Sequence, residues 1–145
     1  MTGVSGDGPT EKRVTQMEAG RALDVLIAEK VMGMALPDWT PTHGEVSSSH
    51  SSSLRSRWHL WPWEIRYWGT EKPIQWEPRR YSSDIAEAWR VLEKLKGGSF
   101  PMVSVNCGEP GWWVVLYPAT GSFTETDYHE TAPLAICLAA LDALS

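Results

Sequence analysis

The segment that leaves this chain least choice is its last. From Thr131 to Leu144, the side chains of Leu134, Ile136, Cys137, Leu138, Leu141 and Leu144 fall on every side of a helix, with alanines at 135, 139, 140 and 143 between them. A helix apolar nearly all round has no face to give to water, so it is buried within the domain or at a subunit interface. Thr131 is placed to cap it, and Pro133 sits in the first turn, where a missing N–H costs nothing.

Two amphipathic helices precede it. Met17 to Met34 carries a stripe of Leu23, Leu26, Ile27, Val31 and Met34, with Arg21, Asp24, Glu29 and Lys30 expected to face water. Leu36-Pro37 ends it, because a residue before proline is pushed out of helical geometry. Tyr81 to Lys96 carries Ile85, Ala88, Trp89, Leu92 and Leu95 at three- and four-residue steps. Asp84 followed by Glu87 is a start signal, with Ser82 and Ser83 as rival caps. Gly97-Gly98 predicts a stop through a left-handed residue.

Strands fill the gaps. Trp63 to Trp68 alternates, and Ile74 to Glu77 returns after the turn chemistry of Gly69 to Pro73, which predicts a β-hairpin. Met102 to Asn106 and Trp112 to Tyr117 flank the turn Gly108-Glu-Pro-Gly111 and form a second antiparallel hairpin. Trp112 to Tyr117 is apolar on both faces and so is placed centrally. Phe123 to His129 is predicted as a third strand. The fold class is α+β: a three-layer α/β/α sandwich with a small, mainly antiparallel sheet, with a two-layer arrangement as the alternative.

Residues 1–16 are polar and glycine-rich and are expected to be a disordered tail, neither a signal peptide nor a membrane span. Residues 17–145 then form one domain, interrupted by a Ser-rich loop at 37–57. His50 in that loop is too little for a metal site, and no metal or cofactor is expected. With two cysteines, Cys107 and Cys137, a disulfide framework is not indicated, and free thiols in a reducing compartment are expected.

Three blocks of this chain resemble a known family. Leu23-Asp-Val-Leu-Ile-Ala-Glu-Lys-Val-Met-Gly33, Tyr81-Ser-Ser-Asp-Ile-Ala-Glu-Ala-Trp89 and Thr131-Ala-Pro-Leu-Ala-Ile-Cys-Leu-Ala-Ala140 are similar, in that order, to the opening helix, the YSTDIAAAW motif and the closing APLAICLAAL helix of the phage ABA sandwich domain proteins. The resemblance implies an α/β/α sandwich and a bacteriophage or prophage source. It carries no catalytic residues over to this chain. Met34 stands where tryptophan usually follows Val-Met-Gly, and the Ser- and Trp-rich stretch between the first two blocks is long.

That stretch holds much of the unusual tryptophan content, 9 in 145 residues. Between residues 54 and 80, six Lys/Arg oppose three Glu, so the segment is +3 in a chain of −5 and the remainder is −8. Tryptophan faces stack on ring systems and arginine grips phosphate. The negative whole argues against duplex nucleic acid, whose many phosphates meet the entire field. Trp61, Trp63, Trp68 and Trp76 are therefore expected to stack on a ligand. Arg66, Arg79 and Arg80, with Tyr81 and Ser82 at the start of the middle helix, are expected to hold its phosphate. The same tryptophans equally suit packing of the hairpin onto the domain.

There is no G-x-S-x-G, H-E-x-x-H, P-loop or C-x-x-C motif. Cys107 with His59 or His129, and the cluster Glu125, Asp127, His129 and Glu130, are the enzymatic alternatives. The expectation is a non-enzymatic protein of the infected host's cytoplasm, away from the membrane. It would be a homo-oligomeric sponge that sequesters a small anionic ligand, a nucleotide immune signal of the host, to evade anti-phage defence. The alternative is an accessory protein that docks on a host protein through its Trp/Arg-rich hairpin.

Overall fold

The computed structural model describes residues 17–40, 42, 62–66 and 74–144. The tail at 1–16, most of the Ser-rich loop, Trp61, Trp68 and the turn of the first hairpin lie outside the described residues, as does the side chain of Arg66.

The first helix, α1, is Arg21–Leu26 and continues as a π-helical turn, Ile27–Val31. It starts four residues later than the periodicity predicts, after Gly20 at φ 154°, a conformation that a side chain disfavours. The wide turn is closed by Met32 N–H donating to Ile27 O at 2.9 Å. It helps keep Ile27, Ala28 and Val31 all in the core. Asp24 corrects the expected polar face, because it is buried.

Strands β1 (Trp63–Arg66) and β2 (Gln75–Pro78) pair antiparallel, Trp63 opposite Pro78 and Ile65 opposite Trp76, as the alternation predicts. The second helix, α2, is Ile85–Lys96. Of the rival caps Asp84 prevails, its carboxylate accepting from Ala86 N–H at 2.8 Å. The buried face is Ala88, Val91, Leu92 and Leu95, while Ile85 and Trp89 are 53% and 57% exposed. The apolar residues of this segment span a wider arc than one contact face, and the neighbours cover the Val91 flank instead of the Ile85 flank. Its end also differs from expectation: Gly97 is right-handed at φ −75°, donating to Glu93 O at 3.0 Å.

Strands β3 (Met102–Gly108), β4 (Gly111–Tyr117) and β5 (Thr124–Glu125) form an antiparallel sheet in that order, with β4 central as its two apolar faces require. β5 is shorter than predicted, but His129 also bridges to Trp112. Val103, Val105, Trp112, Val114 and Leu116 face the helices. Trp113 turns the other way, edge-on to Tyr128 at 5.0 Å.

The last helix, α3 (Ala132–Leu144), has Thr131 Oγ accepting from Leu134 N–H at 3.3 Å. An unbroken run from Ala135 to Leu141 is buried. It packs on α2, on β4 and on the π-helical turn of α1, so it lies between the three-stranded sheet and the first helix. This is the interior place that its sequence demands. The chain is thus an α+β sandwich of helices and small antiparallel sheets.

Candidate functional site

The β1–β2 hairpin lies beside α1, and Trp63, Trp76, Arg79, Arg80, Tyr81 and Ser82, the expected ligand residues whose side chains are described, lie at or next to that junction. Most of them converge inward. Trp63 is 1% exposed, and its indole N–H donates to Met34 O at 2.9 Å. Trp76 is buried too, with its N–H on Trp39 O at 2.6 Å. Trp39 stands edge-on against it, ring centres 5.4 Å apart and planes at 83°. A buried indole wants both an apolar bed and an acceptor, and here both come from the segment that follows α1. The expectation that Trp63 and Trp76 offer stacking faces is corrected by this placement.

The two arginines have separate fates. Arg79 runs between Glu64 Oε1 at 3.7 Å and Glu87 Oε2 at 3.5 Å, with a mostly covered side chain, and so ties the hairpin to α2. Arg80 is exposed. Arg21, on α1, meets Glu77 at 3.0 Å and adds a surface link to β2.

Tyr81 and Ser82 form the turn before α2, and both are buried. Burial holds the Tyr81 phenol well above its ordinary range, the Arg79 charge only partly opposing it. Ser82 is joined to Asp24: its N–H and its hydroxyl donate to the same carboxylate oxygen at 2.8 and 2.7 Å. The hydroxyl in turn accepts from Gly20 N–H at 2.9 Å. Burial raises the Asp24 pKa, while the Ser82 bonds and the Arg80 charge work against the rise. Four N–H groups of this turn are already engaged. Ser82 donates to Asp24, Ser83 and Asp84 donate to Arg80 O, and Ala86 donates to Asp84. The expected phosphate cradle is therefore a helix-to-turn lock.

Sequence reasoning missed Asp24 because one polar residue in the first turn of an amphipathic helix reads as solvated. The signal that could have found it was the matching serine in the turn before α2, since a buried carboxylate needs donors.

What the junction leaves outside is apolar and aromatic: Leu36 is 52% exposed and Trp39 43%. A separate cleft of about 630 Å³ opens at the other end of α1, between Met17, Glu18, Pro110, Tyr128, His129 and Thr131. His129 is partly buried there, and burial lowers its pKa, Asp127 partly opposing. The shift favours the uncharged ring, and Glu18 adds a carboxylate to the lining, which disfavours an anion there. Cys107 opposes Trp112, and Trp112 opposes His129. Two strand spacings, about 9–10 Å, thus separate Cys107 from His129, and they form no catalytic pair. Cys137 is buried and its thiol is pushed far up, chiefly by burial. Among the described residues no group of three or more His, Cys, Asp or Glu is placed to hold a metal.

The lock between α1 and the Tyr81 turn joins the first two of the three sequence blocks, and the third block is the helix buried between them and the sheet. The profile of the phage ABA sandwich domain matches residues 25–141, most of the chain. The chain belongs to the phage ABA sandwich domain family. A crystal structure of a phage protein from Bacillus cereus ATCC 14579 has a similar fold, with a TM-score of 0.51 at 24% identity, covering 86% of this chain and 90% of that one. No curated protein matches significantly. Within this family member, no described helix is long and apolar enough to cross a membrane.

Proposed function

We propose that the protein is a non-enzymatic, phage-encoded binding protein that acts in the cytoplasm of the infected bacterium by docking on a host protein. The observation that carries this reading is the exposed Leu36 and Trp39 surface beside β2, held in place because Trp39 O accepts the buried Trp76 indole. Tryptophan anchors backed by a rigid core are the usual source of binding energy at protein interfaces. At the hairpin junction Arg79 is engaged with Glu64 and Glu87, and Ser82 with Asp24.

The test is cross-linking and mass spectrometry in infected cells, comparing the wild type with Leu36→Glu and Trp39→Glu. A host protein captured by the wild type and lost from both variants, each still folded by circular dichroism, supports the reading. A partner retained by both variants overturns it.

Sequestration of a small, nucleotide-derived anion is the second reading. It is favoured by Arg80, which is exposed and forms no ion pair with a described residue. A nucleotide panel that raises the melting temperature of the wild type but not of Arg80→Ala would promote it over the first.

A further inference from the structure

Among the described residues β3 is an edge strand, paired with β4 along one side only. The direction of its other main-chain groups follows from β4. Trp112 exchanges hydrogen bonds with His129, and Val114 O accepts from Thr126 N–H, so the even-numbered residues of β4 point toward β5 and the odd-numbered ones toward β3. Their partners on β3 are Ser104 and Asn106. Val103, Val105 and Cys107 therefore aim N–H and C=O away from the sheet.

Proteins blunt such edges with lysine, proline, inward charge or a bulge. Met102–Gly108 contains no charged residue and no proline, and its register with β4 is unbroken from end to end. The opposite edge is managed differently: β5 has two residues, one of them Glu125. The core is also incomplete at β3. Val103 and Val105 face the helices yet are only partly buried, whereas Val114 and Leu116 on the neighbouring strand are 0% and 2% exposed. α2, which packs over β3, presents exposed Ile85 and Trp89.

We propose that a second copy of this chain pairs antiparallel on β3 about a two-fold axis at Val105, joining the two three-stranded sheets into one. The strand is self-complementary in that register. Val105 meets its own mate, Val103 meets Cys107, and Ser104 meets Asn106. Each pair is apolar on the helix side and hydrogen-bonding on the other. The outward-aimed groups of Val103, Val105 and Cys107 are the ones that a hydrogen-bonded antiparallel pair at Val105 uses. A shift by one residue would set apolar against polar faces and is excluded on that ground. The two α2 helices come into one layer across the axis, which brings Ile85 and Trp89 toward cover. This surface is distinct from the Leu36 and Trp39 surface, so the assembly stands or falls independently of the host-protein reading.

Sedimentation velocity across a concentration series tests the assembly, with amide hydrogen exchange as the second readout. The wild type is expected to form a dimer, with the Val103, Val105 and Cys107 amides protected. Ser104→Lys combined with Asn106→Lys sets like charges against one another across the axis, on the face away from the helices. It is expected to weaken the dimer by at least roughly tenfold at an unchanged circular dichroism spectrum. Val105→Pro removes the central donor without touching a β4 bond and is expected to give a monomer. If that variant fails to fold, the double-lysine variant decides. A wild type that stays monomeric, or whose three amides exchange freely, overturns the proposal. So does a dimer that survives the double-lysine change.

Discussion

Replacing Asp24 by alanine removes the one acceptor shared by the Ser82 amide and the Ser82 hydroxyl. Ser82 is fully buried, so water does not replace that acceptor. Each abandoned donor costs about 1–3 kcal/mol. Removal of a carboxylate disfavoured by burial returns part of this, which leaves an expected loss of about 2–4 kcal/mol. Asp24→Asn keeps an oxygen in place and should lie within about 1 kcal/mol of the wild type at pH 7. In a cycle with Ser82→Ala, the coupling between the two positions should reach about 1–3 kcal/mol. The pH dependence has a definite sign. The folded pKa of Asp24 is raised above its ordinary 3.8, so the fold favours the protonated acid. That advantage is fully present below 3.8 and is lost as pH rises through the folded value, so the asparagine variant should gain on the wild type across this interval. Urea unfolding followed by circular dichroism measures all of these quantities. A loss under 1 kcal/mol for Asp24→Ala, or no coupling to Ser82, would refute the reasoning.

Trp63→Phe keeps an aromatic ring but abandons Met34 O and should cost about 1–2 kcal/mol, and Trp63→Ala about 3–5, both read from urea midpoints. Arg79→Met leaves Glu64 and Glu87 without their shared cation and should lower the melting temperature, with the loss shrinking at high salt only in part because the guanidinium is mostly covered. Gly111→Ala would bring a Cβ to 2.5 Å from His129 O, so the His129 bridge should open, seen as faster exchange of the Trp112 amide and about 1–3 kcal/mol of lost stability. The folded pKa of His129 is depressed, so its contribution to stability is present above pH 6.5 and lost as pH falls through the folded value. An NMR titration should place its midpoint below 6.5.

The elements and their order were legible because each rests on a local pattern: the period of α3, the alternation of β1, and the turn between β3 and β4. What escaped were features set by neighbours distant in sequence. The apolar arc of the middle helix is wide enough to bury either flank, and only the positions of α3 and β3 decide for Val91 over Ile85 and Trp89. Asp24 turns inward because a serine some sixty residues later supplies its donors. The tryptophan–arginine stretch misled for the same reason. Indole and guanidinium groups suit a ligand and a core equally, and the choice for Trp63, Trp76 and Arg79 is made by Met34 O, Trp39 O, Glu64 and Glu87. Arg80 alone among the described candidates was left at the surface.

That the indoles of the hairpin hold the domain together, with recognition left to the surface around them, is most directly tested by hydrogen exchange at the indole N–H groups in a nitrogen-15 spectrum. The Trp63 and Trp76 resonances, assigned by single phenylalanine substitutions, should exchange only as fast as the domain unfolds, because each side chain is buried and donates to a main-chain carbonyl. Exchange of either at the rate of a free indole would contradict the account.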